Sequence, residues 1–152
     1  MSVVDRAIQQ LQVPTDTPPI TLSLPEAVAS VLVAAISADG TFGVDEANRL
    51  NSVLSTSRLF DEAVRLGDVD VVERAVNLLT ERGLTPVLAA CAAGIPLELR
   101  ATVFAVATDL VLSDGRIEGH EKAFVDQLQS ALNVDDGTAL KIVEVLLIKN
   151  RA

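Results

Sequence analysis

A nine-residue pattern occurs twice in this chain. It reads Ala-Asp-Gly-Thr-Phe-Gly-Val-Asp-Glu over residues 38–46 and Ser-Asp-Gly-Arg-Ile-Glu-Gly-His-Glu over residues 113–121. In both copies an apolar helical run stops at Asp-Gly, and a glutamate at the same spacing from the aspartate opens the next helical run. The two copies are separated by about half the length of the chain. A repeat of this kind predicts two structurally related halves, each presenting an acidic loop.

The regions between the loops have helical periodicity and no convincing strand pattern. Aromatic residues make up only 3% of the chain, so Ala, Val, Leu and Ile must fill the core. Alanine-rich runs with good helix formers favour closely packed helices over a sheet. We therefore predict an all-α, single-domain bundle of about eight helices. Residues 1–22 form an N-terminal helix and a Pro-rich connector, and residues 23–152 form the domain, with repeats over about 23–83 and 84–151.

One helix is predicted to lie at the centre of the domain. Ser23 and Glu26 have the spacing of a capping box, and Pro25 suits the first helical turn. The helix continues to about Ala38 and is apolar on nearly all sides, which is typical of a buried helix.

The last helix, from 135–136 to 150, is expected to bury Leu140, Val143, Leu147 and Ile148. Asp109 lies on the apolar helix that leads into the second loop and is surrounded by apolar neighbours. We expect it to pair with an arginine such as Arg100 or Arg49, with metal coordination as the alternative, because a buried carboxylate needs a partner.

The charge balance limits the partners. With 21 acidic and 12 basic residues, the net charge is −9. This excess argues against nucleic acids and anionic membranes, and it favours cations or a basic protein surface.

The single cysteine, Cys91, permits no internal disulfide and is expected to be a core residue. No signal peptide is visible and no apolar run has the ~20 residues of a membrane span, so a cytoplasmic location is expected.

The acidic loops are candidate sites for a divalent cation. Carboxylate oxygens are the ligands that Mg²⁺ and Ca²⁺ prefer, and Mn²⁺ is a further candidate. The primary ligands are Asp39, Glu46, Asp114 and Glu121, and the weaker candidates are Asp45, Asp109, Glu118 and His120. A regular EF-hand is not expected, because its first and third ligand positions would fall on Ala35 and Ser37 or on Leu110 and Leu112.

Helix punctuation is the alternative explanation of the loops. Asp-Gly commonly ends a helix, and a glutamate in the next first turn can face the positive helix end without any metal. Capping, however, does not require the same spacing twice. Enzymatic activity is not expected, because the chain has one histidine, no Ser-His-Asp set, no CxxC and no phosphate-binding glycine loop.

The chain resembles the TerB-like, tellurite-resistance family of helical proteins. The resemblance covers about residues 23–151 and depends on the paired Asp-Gly-x-(Ile/Phe) loops, on Leu-Glu-Leu-Arg at 97–100 and on Val-Leu-Leu-Ile-Lys-Asn-Arg at 145–151. It implies an all-α fold of two related halves, a role in tellurite or general chemical-stress resistance, and metal binding by the four primary ligands. The first loop departs from the pattern at Phe42 and Gly43. The competing hypothesis is a metal-independent interaction module with an acidic face; the oligomeric state is not predicted.

Overall fold

The computed structural model describes residues 2–7, 18–38, 48, 50, 52, 68–113 and 119–151, and within them all regular structure is helical. The bounded helices are α1 (residues 3–7), α2 (Leu24–Ile36), α3 (Asp68–Arg82), α4 (Leu84–Gly94), α5 (Leu97–Val111), α6 (Gly119–Leu132) and α7 (Asp136–Lys149). Asn48, Leu50 and Ser52 are also helical, as predicted for the segment after the first loop. The prediction of an all-α bundle is confirmed. The helix expected near 59–64 lies outside the described residues, so the count of about eight stays a prediction.

Helix α2 begins with the predicted capping box. The backbone N–H of Ser23 donates to Glu26 Oε1 at 2.9 Å, and the Glu26 N–H donates to Ser23 Oγ at 3.4 Å. These two bonds satisfy backbone donors that a helix start otherwise leaves without partners. The helix therefore starts where the sequence indicates, one residue after Ser23.

The central position of α2 is confirmed by its burial. Every residue from Ala27 to Ile36 is buried, and the helix packs against α3, α4 and α5. Small side chains allow these neighbours to approach from several directions. Ser30, the polar member of this run, donates its hydroxyl proton to the Glu26 carbonyl at 2.8 Å, so its burial leaves no unpaired donor.

A close backbone contact fixes the direction of α4 relative to α2. A Cβ atom added to Gly94, at the end of α4, would lie 2.8 Å from the Leu22 carbonyl oxygen, just before α2 begins. The end of α4 thus lies at the start of α2, and the two helices run antiparallel. Because only Ile95 and Pro96 separate α4 from α5, and α5 also packs on α2, α5 returns in the direction of α2.

Helix α7 packs against α5 with a different face from the one that the sequence predicted. Leu140, Leu147 and Ile148 are exposed at 60%, 48% and 73%, so their predicted burial is wrong. The buried residues are Ala139 and Leu146, and Val143 is only partly buried against the core. The physical reason is that α7 is apolar on most of its circumference. Periodicity then does not select a face, and the contact with α5 does.

Candidate functional site

The structure describes only part of the predicted cation-binding set. Asp39, Glu46 and Asp114, with the weaker candidates Asp45 and Glu118, lie outside the described residues. Glu121 and His120 lie in the first turn of α6, and Asp109 lies near the end of α5. Among the described residues, no three His, Cys, Asp or Glu side chains are grouped so that they could hold a metal ion. The four-ligand site therefore stays a prediction.

The helices that lead into the two loops end in the same way. Helix α2 ends at Ile36 and α5 ends at Val111, and each of these residues is three positions before the aspartate of its loop. The next residue has φ −97° and ψ 20° after α2, and φ −90° and ψ 2° after α5. The main-chain hydrogen bonds also correspond, at 3.0 Å and 2.9 Å to the carbonyl four residues earlier. Both loops thus start from one local geometry.

Residues flanking the two loops line a common pocket of about 360 Å³. Ala38, immediately before the first loop, and His120, just after the second, both contribute to its wall. The full lining is Ala34, Ser37, Ala38, Leu79, Leu84, His120, Ala123, Phe124 and Gln127, from α2, the connection after it, α3, α4 and α6. The end of α2 and the start of α6 therefore lie at the same end of the bundle, which we call the loop end.

Asp109 is held by the end of α7. Lys149 Nζ lies 3.2 Å from both carboxylate oxygens, and Asn150 Nδ2 donates to Oδ1 at 2.8 Å. The prediction of a paired Asp109 is confirmed, but Arg100 is not the partner. Arg100 instead donates to the carbonyls of Ala92 at 2.7 Å and Ile95 at 3.0 Å, and Arg49 lies outside the described residues.

Sequence reasoning missed the Asp109 contact because it joins positions that are far apart in the chain. Neither a lysine nor an asparagine at a helix end signals a distant carboxylate, since both residues commonly occur there for local reasons. Because the ends of α5 and α7 meet at Asp109, α7 also ends at the loop end. The contact thus ties α7 to the helix that leads into the second loop.

Cys91 is a buried core residue, as predicted. Burial raises the pKa of its thiol to about 12, because the thiolate would lose its hydration, and a hydrogen bond with Ser30 only partly opposes this shift. A thiol that stays protonated is a poor nucleophile and a poor metal ligand. Cys91 therefore supplies neither function.

These features describe a small helical bundle with two equivalent helix ends that precede acidic loops. The family model of the tellurite resistance protein TerB matches residues 25–142, which extend from the first turn of α2 into α7 and include both loops. The chain therefore belongs to the TerB family. Comparisons with curated proteins and with solved structures gave no match. No helix within the described residues has the length and apolar character needed to cross a membrane.

Proposed function

We propose that this TerB-family chain is a non-enzymatic protein that binds a divalent cation at the loop end and acts in resistance to tellurite or related chemical stress. The ligands would be Asp39, Glu46, Asp114 and Glu121, and the ion Ca²⁺, Mg²⁺ or Mn²⁺. The observation that carries the proposal is that α2 and α5 end with the same backbone geometry, and that each ends three residues before a loop aspartate. Helix punctuation alone does not require this match.

The equivalence of the two helix ends supports a chain built from two related halves. It also supports the assignment of the Asp and the Glu at corresponding positions of the two loops as cation ligands, because hard cations prefer carboxylate oxygens. Helix C-termini carry partial negative charge, so the ends of α2 and α5 favour a nearby cation. The net charge of −9 also attracts cations.

Asp109 is the weakest of the candidate ligands, because Lys149 and Asn150 already use both of its oxygens. Asp45, Glu118 and His120 remain secondary candidates beside the primary four. We also propose a cytoplasmic location, since a chain with a single cysteine needs no oxidising compartment for its stability.

Thermal unfolding in the presence of Ca²⁺, Mg²⁺ or Mn²⁺ tests the proposal. A ligand that binds only the folded state stabilises it by about 2.7 kcal/mol at a free concentration a hundred times Kd, which raises the melting temperature. Asp114→Asn should remove this rise. The matched control is Asp126→Asn, which removes an equal charge from an exposed position on α6. Absence of a rise with all three ions, together with elemental analysis that finds no bound metal, would contradict the proposal.

The second candidate function is a metal-independent interaction module whose acidic face binds a basic partner. The observation that favours it is the exposure of Leu140, Leu147 and Ile148 on α7, because exposed apolar side chains beside charged ones are common at protein interfaces. A basic partner should then bind equally well with and without EDTA. Loss of its binding in EDTA would favour the cation site.

A further inference from the structure

Helix α7 has an exposed side that carries large apolar residues. The side that packs on the core consists of Ala139, Ile142, Val143 and Leu146. Other residues of the helix recur at spacings of three and four, so they share a second side, and all of them are exposed. We call this side the outer face of α7; it consists of Gly137, Leu140, Lys141, Glu144, Leu147 and Ile148. Apolar residues grouped on a surface in this way often mark an interface.

The charge of α7 differs from that of the whole chain. Within the helix, Asp136 and Glu144 are balanced by Lys141 and Lys149, so the helix is neutral, whereas the chain carries −9. Two copies of such an acidic chain repel each other on average. A neutral helix adds nothing to that repulsion. The outer face of α7 is therefore a surface on which a second copy can approach.

The order of the charges selects the orientation of that second copy. Lys141 and Glu144 lie at equal distances from the centre of α7, which falls between Ile142 and Val143. If two α7 helices pack antiparallel with their centres together, Lys141 of each copy lies level with Glu144 of the other, and two ion pairs can form. A parallel pair in register would place like charges level. The antiparallel pair also aligns the helix dipoles favourably, and a single twofold axis generates it.

The apolar residues of the outer face fit the same arrangement. Ile148 of one copy lies level with Gly137 of the other, where the absence of a side chain leaves room for it. Leu140 lies within two residues of the level of Leu147 in the other copy, which is ~3 Å along the helix axis. The two leucines of each copy are seven residues apart and lie on one line along the helix. The four leucines of the pair can therefore form one apolar cluster beside the ion pairs.

From these observations, we propose that the outer face of α7 binds the same face of a second copy of this chain, antiparallel about a twofold axis. One helix face per copy is a small interface, so the dimer is weak, with a Kd between ~1 μM and ~1 mM. Well below its Kd the chain is a monomer, and unfolding experiments there report the isolated bundle. Neither Lys141 nor Glu144 is a proposed ligand of the divalent ion, so the dimer does not depend on that ion.

Sedimentation equilibrium over a range of concentrations tests for the dimer. EDTA in the buffer excludes a contact bridged by metal ions. We expect the mean mass to rise from that of one chain towards that of two, and not beyond, because a twofold contact is closed. A mass that stays at one chain up to ~1 mM, or one that rises past two chains, would overturn the proposal.

Single charge reversals test the orientation. Lys141→Glu turns both ion pairs into repulsions and should weaken the dimer at least tenfold, which corresponds to ~1.4 kcal/mol. Lys122→Glu is the matched control, because it changes the net charge equally at an exposed position of α6. It should weaken the dimer by less than ~threefold, since salt screens distant charges. If Lys141→Glu weakens the dimer no more than this control does, the contact lies elsewhere and the assignment is wrong.

A mixture of two variants gives the sharpest test. Glu144→Lys alone should also weaken the dimer, although it makes the chain less acidic. Mixed with Lys141→Glu, it restores opposite charges at both level positions. The heterodimer should therefore be at least tenfold tighter than either variant's own dimer. The double variant Lys141→Glu/Glu144→Lys should recover the original affinity for the same reason. A mixture that binds no more tightly than Glu144→Lys binds itself would refute the antiparallel pairing.

Discussion

Helices α2 and α7 are both rich in apolar residues and differ greatly in burial. In α2 the ten residues from Ala27 to Ile36 are all buried, whereas in α7 only Ala139 and Leu146 are. Helix α2 packs against three helices, and the main helix contact of α7 is with α5. The number of neighbours that a helix gains in the fold therefore decides how much of its apolar surface contributes to stability.

Side-chain size is part of this difference. The buried run of α2 consists mainly of alanine and valine, which let three helices approach closely. Helix α7 carries larger leucine and isoleucine side chains, several of which extend into solvent. Their exposure adds little to the stability of the isolated chain, although it provides a surface on which other molecules can pack.

The largest expected effect comes from truncating one leucine in each helix. Leu32→Ala removes a fully buried side chain from α2 and should lower the free energy of unfolding by ~2–5 kcal/mol. Leu147→Ala, at a position that is 48% exposed, should cost less than ~1 kcal/mol. Urea denaturation measures both. Equal losses would break the comparison, because they would mean that another molecule buries α7 in solution.

The close contact between α4 and α2 gives the next largest effect. Gly94→Ala places a Cβ atom 2.8 Å from the Leu22 carbonyl oxygen and 3.2 Å from Ala27 Cβ, and we expect a loss of ~1–3 kcal/mol. Gly119→Ala is the matched control, since nothing lies within 4 Å of the added atom and alanine favours the helix. Denaturant unfolding should show a lower free energy of unfolding only for Gly94→Ala. A neutral Gly94→Ala would show that the approach of α4 to α2 is looser than described.

Caps at the two helix starts sharpen the comparison further. Ser23 accepts a hydrogen bond from Glu26 N at 3.4 Å in α2, and Asp135 accepts one from Thr138 N at 3.2 Å in α7. Replacing either by alanine should cost ~1 kcal/mol. In native-state hydrogen exchange, Ser23→Ala should reduce the protection of backbone amides throughout the bundle. Asp135→Ala should reduce it mainly in α7. The same exchange pattern in both variants would show that α7 unfolds together with α2.

The smallest effect is expected at the ion pair that ties α7 to α5. Lys149→Met removes the 3.2 Å contact with Asp109, and because both side chains are partly exposed the cost should be under ~1 kcal/mol. Lys141→Met, an exposed lysine of the same helix with no described ion pair, is the control. High salt should remove the difference between the two variants in urea denaturation. If Lys149→Met lowers the free energy of unfolding by well over ~1 kcal/mol, the ion pair, rather than the burial of Ala139 and Leu146, holds α7 in place.

The starts and ends of the helices could be predicted because the signals are local. Ser23 with Glu26 marked the start of α2, and the structure confirms this capping box. Asp109 was expected to be paired, since a carboxylate among apolar residues needs a partner. Its partners, Lys149 and Asn150, could not be predicted because they come from a distant helix.

Less of the candidate site could be predicted and checked. Glu121 and His120 lie at the start of α6 as expected, whereas Asp39, Glu46 and Asp114 lie outside the described residues. The pocket gave no signal in the sequence, because its wall combines short pieces of α2, α3, α4 and α6. Only packing brings such pieces together.

The sequence by itself determined the helical class, the central helix and the duplicated acidic loops, since periodicity, caps and repeats are properties of short segments. Tertiary structure alone decided which face of α7 is buried, which residues hold Asp109 and which helix ends form a pocket. The physical reason is that burial and pairing depend on neighbours in space. A helix that is apolar on most sides is compatible with several such neighbours until the other helices take their places.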